Sequence, residues 1–324
     1  MSVPQSGALD RDRPGPNEEG GSVAVVGSLN LDLVVRVPQL PGPGETVSGD
    51  DVFRNPGGKG GNQAVAAVRL GRPVSVVACV GRDDAGRSLV EALRADGVDT
   101  EHIRIDGSVP TGAAFIAVGP DGENQIIVSP GANRRLTPDD VHAGRDLLER
   151  ASVTLLQLEI PLEVVAAAAR AARGSVVLNP APARELPPDV LSLADVVVPN
   201  RVELGQLAHS SPPTSPEEAA ALAGNLPVPA AVVTLGGEGA VVVEGGDVTP
   251  IPSVPVRAVD TTAAGDAFCG ALADALARGE RLDAAARWAV RVAALACTKA
   301  GAQASLPTRE EVLELTPADQ APDS

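Results

Sequence analysis

Asp260-Thr-Thr-Ala-Ala-Gly-Asp266-Ala-Phe-Cys-Gly-Ala-Leu-Ala-Asp-Ala-Leu-Ala-Arg278 is a polar turn of small residues that runs straight into an apolar-striped helix. Phe268, Leu272 and Leu276 recur every four residues with Ala271 and Ala275 beside them, so one face of the helix is built for a core. At its front end Ala263, Ala264 and Gly265 carry almost no side chain. That leaves backbone N–H groups at a helix N-terminus, where the macrodipole favours negative charge, and makes the three residues a candidate anion hole. Asp266, in the first turn, is placed to take a proton from a hydroxyl that attacks a phosphoryl group held there. Alone, a Gly-Asp pair reads more simply as a carboxylate stabilising its own helix, so the choice rests on the rest of the chain.

Two earlier segments bear on that choice. Ser22-Val-Ala-Val-Val-Gly27 has the look of a buried parallel strand, and it delivers Ser28-Leu-Asn30-Leu-Asp32 to the carboxyl end, where open α/β sheets bind ligands. Asn30 and Asp32 share one face of an extended segment and offer an amide and a carboxylate to adjacent hydroxyls; an Asx-turn pair is the competing reading. Asn55-Pro-Gly-Gly-Lys59-Gly-Gly-Asn62 then opens an Ala-rich helix. It is not a P-loop, because Gly60 follows Lys59 where a Walker A motif needs Ser or Thr for magnesium. Its glycines, Gly58 among them, still allow close approach of a ligand, with Lys59 and Asn62 as donors.

The remaining chain alternates short apolar runs with helical patterns, the mark of an α/β fold. Leu33–Val37 with Thr46–Phe53, and Thr111–Val118 with Asn124–Ser129, read as two hairpin-like excursions. They predict a small β-sheet standing apart as a lid. Thr154–Glu159 reads as a strand that places Glu159 at its carboxyl end, where the alternative is a charge on the following helix from Leu162 to Arg170. Val196-Val-Val-Pro-Asn200-Arg-Val-Glu203 offers Asn200 as a helix N-cap, and Thr234-Leu-Gly-Gly-Glu-Gly239 is a glycine turn between two strands. Ala284–Cys297 is an apolar helix around Trp288, followed by the loop Lys299–Ser305.

Taken together, Asp260–Asp266, the Gly-Gly-Lys-x-x-Asn segment and the Asn-x-x-Glu element resemble the PfkB, or ribokinase-like, carbohydrate kinase family, in order from about Val23 to Pro307. Val176–Pro187 is similar to the ribokinase branch in particular. The resemblance implies a three-layer α/β/α fold with a mostly parallel central sheet and a β-sheet lid. It implies Asp266 as general base beside an Ala263–Ala264–Gly265 anion hole. Sugar contacts would come from Asn30, Asp32, Gly58, Lys59, Asn62, Glu159 and Asp266. Asn200, Glu203, Thr234, Gly236, Gly237, Gly239 and Gly265 would face ATP, with Glu203 ordering water around Mg2+. A K+ ion would sit among oxygens of Asp260, Thr262, Ala296, Lys299, Gly301 and Ser305. A departure falls at Val290, where the family often presents a polar residue to the adenosine.

The implied reaction is ATP-dependent phosphorylation of a small sugar, with D-ribose at O5 as first choice. Alternatives are a relative acting on deoxyribose, another sugar or a nucleoside, or a non-catalytic sugar-binding sensor. Trp288, Phe53, Phe115 and Phe268 are the only aromatic residues, which disfavours a stacking slot for a base. Family members commonly pair their lids, so a homodimer is expected.

Composition sets the outer limits. The chain has 324 residues, 44% of them hydrophobic, enough for one large domain. Its net charge of −16 opposes sequence-independent binding to nucleic acid or anionic lipid. Cys79, Cys269 and Cys297 are odd in number and widely spaced, which suggests neither a disulfide framework nor a zinc site and fits a reducing cytoplasm. His102, His142 and His209 show no metal spacing. Residues 1–21 and 317–324 are too polar to bury apolar surface and read as a disordered extension and tail, leaving 22–316 as the kinase-like domain with its lid from about 32–54 and 109–129.

Overall fold

Strand β1 (Val23–Val26) sends Val23 and Val25 into one apolar cluster and Ala24 and Val26 into another, because successive side chains of a strand point to opposite faces. The computed structural model describes residues 21–315. In chain order the other strands are β2 (Asn30–Arg36), β3 (Phe53–Gly57), β4 (Val74–Gly81), β5 (Ile103–Asp106), β6 (Gly112–Val118), β7 (Asn124–Ser129) and β8 (Val153–Leu156). They continue with β9 (Ser175–Leu178), β10 (Val196–Val197), β11 (Ala230–Thr234), β12 (Ala240–Glu244) and β13 (Asp247–Ile251).

Among the described residues these strands form a nine-stranded sheet in the order β5-β4-β1-β8-β9-β10-β11-β12-β13 and a four-stranded sheet in the order β3-β2-β6-β7. The large sheet is parallel from β5 to β11 and turns antiparallel at β12 and β13. The alternation of β1 repeats in β11, with Ala230 and Val232 on one side and Ala231 and Val233 on the other. Helices Lys59–Arg69, Ala264–Ala277 and Leu282–Ala296 cover the first face, and Leu162–Ala171, Arg201–Leu207 and Pro216–Ala223 the second. Both faces are therefore dry, which explains why the strands read as near-continuous Val, Leu and Ala. Two of the helices meet closely: a Cβ on Gly270 would stand 2.5 Å from the Ala66 Cβ.

From β1 the chain goes to β4 on one side and later returns to β8 on the other. The strand order reverses there, and the carboxyl ends at such a point border a crevice that ligands use in open α/β sheets. The small sheet rises from that crevice, since β2 follows β1 after three residues. β2 pairs antiparallel with β3 and parallel with β6, and β6 pairs antiparallel with β7.

Several sequence expectations shift. The strand expected at Thr46–Phe53 forms at Phe53–Gly57 instead, because pairing to β2 sets Asn30 against Gly57 and Asp32 against Asn55. Pro56 is tolerated because β3 is an edge strand of its sheet. The strand expected over 154–159 ends at Leu156, so Gln157 and Glu159 lie in the irregular segment beyond it. The two termini expected to be disordered lie outside the described residues except for Gly21, which is buried and donates its N–H to the Ala277 carbonyl at 3.0 Å. Among the described residues no helix is long and apolar enough to cross a membrane.

Candidate active site

The N-terminus of helix Lys59–Arg69 is pressed against the exit of β1. Gly58 has φ 85°, in the left-handed region, and a Cβ there would lie 2.7 Å from the Asn30 nitrogen. Neither the backbone angle nor the space admits another residue. Glu159 arrives at the same place: its Oε2 accepts from Ser28 Oγ at 2.5 Å and from the Lys59 N–H at 3.2 Å. Glu159 thus meets the helix that begins at Lys59, not the one that begins at Leu162. Asn30 is fixed by Asn133, whose Nδ2 donates to Asn30 Oδ1 at 2.8 Å and whose Oδ1 accepts from the Leu29 N–H at 2.9 Å. Asp32, two residues along β2, packs over Gly57.

Asp266 enters from helix Ala264–Ala277 and is 6% exposed. Its Oδ2 accepts from Asn62 Nδ2 at 2.9 Å and its Oδ1 from Gln63 Nε2 at 3.0 Å. The Asn62 carbonyl oxygen, by contrast, is buried with no protein partner. A buried acceptor of this kind is costly unless a ligand donates to it. Gly265, the residue before Asp266, is open: a Cβ there would touch nothing within 4 Å. Of the three expected anion-hole amides, that of Ala264 makes a turn bond to the Thr261 carbonyl at 3.2 Å.

The charges crowd together. Burial, then the neighbouring Glu159 and Asp266 carboxylates, push the Asp32 carboxyl up to about 7. For Lys59, burial opposes the charge, but Asp266, Glu159 and Glu203 more than offset it and raise the ammonium above its ordinary value. Burial also raises Glu203, with the Asn200 N–H and Lys59 working against it.

Beside this cluster lies a cavity of about 670 Å³. Thr234, Gly236, Gly237 and Gly239 border it on one side, Ala264, Gly265 and Phe268 on another, and Val290, Ala293 and Cys297 close it with an apolar wall. Asn200 and Thr234 are neighbours at its rim through a parallel bridge. Asn200 caps helix Arg201–Leu207 reciprocally: its Oδ1 accepts from the Glu203 N–H at 2.9 Å, and Glu203 Oε2 accepts from the Asn200 N–H at 2.8 Å. The N-cap reading of Asn200 is therefore realised, and its Nδ2 stays available.

Asp260 ties two loops together. Its Oδ1 accepts from the Thr262 N–H at 2.9 Å and Oγ1 at 2.5 Å, and its Oδ2 from the Gly301 N–H at 2.9 Å. Against some burial, these bonds hold the carboxyl below its ordinary value. Lys299 sends its ammonium outward to Glu311 at 2.5 Å, which leaves only its backbone for the loop. Ser305 Oγ donates to the Ala302 carbonyl at 2.8 Å, and the Ala296 carbonyl accepts from the Lys299 N–H at 3.3 Å. Among the described residues no three acidic, His or Cys side chains gather as a metal site.

The profile of the pfkB family of carbohydrate kinases matches residues 21–309. The chain belongs to that family. It is 40% identical over 298 residues to a ribokinase of Haemophilus influenzae, covering 90% of this chain and 97% of that protein. A crystal structure of a ribokinase from Thermotoga maritima superposes with a TM-score of 0.84 at 36% identity, covering 90% of this chain and 98% of that one. A ribokinase of Arabidopsis thaliana, solved in complex with ribose and ATP, gives a TM-score of 0.81 at 32% identity over 91% of this chain and 98% of that one.

In this pfkB carbohydrate kinase, Asn30, Asp32, Gly58, Lys59, Asn62, Glu159 and Asp266 lie around one crevice, and Thr234, the 236–239 glycines and Gly265 border the adjoining cavity. Asp260, Thr262 and Gly301 form a separate knot, with Lys299 and Ser305 in the same loop region as Gly301 and Ala296 at the end of the helix before it. Reading the sequence assigned no role to Ser28, Gln63, Asn133, Gln157 or Asn179. Ser28 stands inside a quoted stretch and Gln63 directly follows one; a polar residue in line with Ala66, Ala67 and Leu70 on the apolar stripe of the helix was the available signal for Gln63.

Proposed function

We propose that this chain is a ribokinase, transferring the γ-phosphoryl group of ATP to O5 of D-ribose. The observation that carries the reading is the setting of Asp266: it stands at a helix N-terminus, held by Asn62 and Gln63 at the switch-point crevice, and its chain neighbours Ala264 and Gly265 border the adjoining cavity of about 670 Å³. That several of its relatives are ribokinases, one of them solved with ribose and ATP, supports ribose as the sugar.

In this reading the sugar hydroxyls meet Asn30, Asp32, Lys59 and Glu159, and one of them donates to the unpartnered Asn62 oxygen. Asp266 takes the proton of the O5 hydroxyl as O5 bonds to the γ-phosphorus and the bond to the bridging oxygen of ADP breaks. The Ala263, Ala264 and Gly265 amides stabilise the transferring oxygens, the Ala264 amide giving up its 3.2 Å turn bond. ATP extends from there along Gly236, Gly237 and Gly239, its adenine against the wall that includes Val290.

Mg2+ supplies charge neutralisation to the phosphates when bound. Glu203 fits a water-mediated role toward it, since magnesium keeps several waters and uses few carboxylates. K+ suits the knot of Asp260, Thr262 and Gly301, where an ionised carboxylate joins two loops rich in carbonyls. The small sheet acts as a lid that excludes water. Its outer face carries Phe115 and Ile127, register partners that are 48% and 71% exposed, and this apolar surface supports pairing of two lids in a homodimer. A cytoplasmic location fits three cysteines that are all free.

The test is ADP release with Mg2+ and K+ across D-ribose, 2-deoxyribose, fructose and adenosine, with Asp266→Asn in parallel. Ribose-dependent turnover that falls by about 10³-fold or more in the variant, while ribose still binds, is the expected result. Preference for another substrate would redraw the sugar contacts, and absence of turnover on all four would leave a sugar-binding sensor.

A further inference from the structure

Gln63 follows Asn62 on the helix that opens the sugar crevice, and it is fully buried. Its amide meets three other polar groups. Nε2 donates to Asp266 Oδ1 at 3.0 Å and to Asn179 Oδ1 at 3.2 Å, and Oε1 accepts from Gln157 Nε2 at 2.6 Å. Asn179 in turn donates through Nδ2 to the Val198 carbonyl at 3.0 Å, a main-chain group beside β10 in the central sheet.

The polarity of this chain of amides has one self-consistent assignment. The Val198 carbonyl requires a donor, so Asn179 presents its oxygen to Gln63. Gln63 then uses both N–H bonds of its amide, one on Asn179 and one on Asp266, and leaves its oxygen for Gln157. Turning the Gln63 amide over would set its oxygen against two oxygens and its NH2 against another NH2. Space enforces the arrangement as well: a Cβ on Gly27 would stand 2.0 Å from Gln157 Oε1, so only glycine at the end of β1 leaves room for this amide.

We infer that Gln63, oriented by Asn179 and Gln157, is the positioning residue for Asp266, fixing the rotation of its carboxylate and keeping a donor on Oδ1 while Asn62 holds Oδ2. Gln63 acts through Asp266 and leaves the sugar contacts to its neighbours. The inference rests on Asp266 being the base. The ionisable groups around Asp266 are Lys59, Asp32, Glu203 and, on its own helix, Cys269, and a neutral replacement of Gln63 alters none of them.

The experiment compares full-length wild type with Gln63→Met, Gln157→Met and Asp266→Asn, measuring kcat and KM for D-ribose and ATP from about pH 5 to about pH 9. Gln63→Met should lower kcat by about 10- to 100-fold, the loss of one hydrogen bond to a charged group, with KM for ATP within about twofold. The acid limb of its kcat profile should move to higher pH, because the charged carboxylate has lost a donor. Gln157→Met should move the limb in the same direction by less, and it carries the comparison if Gln63→Met does not fold. Acid limbs that coincide with wild type would overturn the inference, whatever happens to kcat. Substantial turnover by Asp266→Asn would instead sink the assignment of the base, which separates the two failures.

Discussion

Asn62 Nδ2 donates to Asp266 Oδ2 across 2.9 Å, although 204 residues separate the two in the chain. The same amide leaves its oxygen buried and unpartnered, so Asn62 has one hand on the base and the other free for a hydroxyl. Asn62→Ala should therefore damage both steps, lowering kcat about tenfold or more and raising KM for D-ribose by a similar factor, while KM for ATP changes little. Steady-state kinetics with each substrate varied in turn checks the split.

Asp32 gives the fold a pH signature. The folded chain holds a proton on this carboxyl up to about 7, whereas the unfolded chain releases it near 3.8. Stability contributed by this group hence falls as pH rises from about 4 to about 7 and levels off above that. Urea unfolding of wild type and Asp32→Asn should show the variant gaining on wild type by on the order of 2 kcal/mol between about pH 5 and about pH 8.5. Parallel curves would mean that the carboxyl is ionised throughout.

Gly57 lies opposite Asn30 in the β2–β3 register, and a Cβ on it would stand 2.1 Å from Asp32 Oδ2. Gly57→Ala must push that carboxylate aside. Misplacement by about 1 Å can cost on the order of 10²-fold, so KM for the sugar should rise steeply with KM for ATP preserved. Calorimetric titration with D-ribose gives the same answer without turnover.

Ala294 borders the cavity of about 670 Å³. Ala294→Phe inserts a ring into the apolar wall, and KM for ATP should rise about tenfold while ribose affinity stays within about twofold, if a lost apolar contact is worth one or two kcal/mol. Equal losses for both ligands would place the nucleotide elsewhere.

Asp274 sits on the helix that carries Asp266, fully buried, with Arg72 Nε at 3.0 Å, Trp288 Nε1 donating at 3.1 Å and Arg278 bonded to its Oδ2. Arg278 and Arg309 both lie over the Trp288 ring, 5.4 and 5.2 Å from its centre. Removing the carboxylate strands these cations. Asp274→Ala should lower stability by about 3–5 kcal/mol, read by denaturant unfolding. Below the melting range its kcat should stay within about threefold of wild type, since Asp274 touches no part of the crevice.

What could be read in advance followed from local chemistry. β7 runs from Asn124 to Ser129, around the β-branched run Ile126-Ile-Val128, and helix Leu162–Ala171 starts at Leu162, directly after Pro161. Asp266, Lys59 and Asn62 were legible because small residues around them leave backbone donors bare. The β3 strand was not legible, because Thr46, Val47, Val52 and Phe53 look more strand-like than Arg54-Asn-Pro-Gly57, and it is pairing to β2 that decides. Nor was the amide chain from Gln63 to Asn179. The two residues are 116 apart, and only the packing of helix 59–69 against the sheet brings them to 3.2 Å.

The close fit of Gly270 on Ala66 docks the helix bearing Asp266 onto the helix bearing Asn62 and Gln63. Synthesis runs from the N-terminus, so both amides leave the ribosome some 200 residues before the carboxylate they grip. Without that carboxylate the crevice has no base, and two of its buried amides lack an acceptor. Competence for phosphoryl transfer is thus a joint property of two distant segments of the chain rather than of either alone.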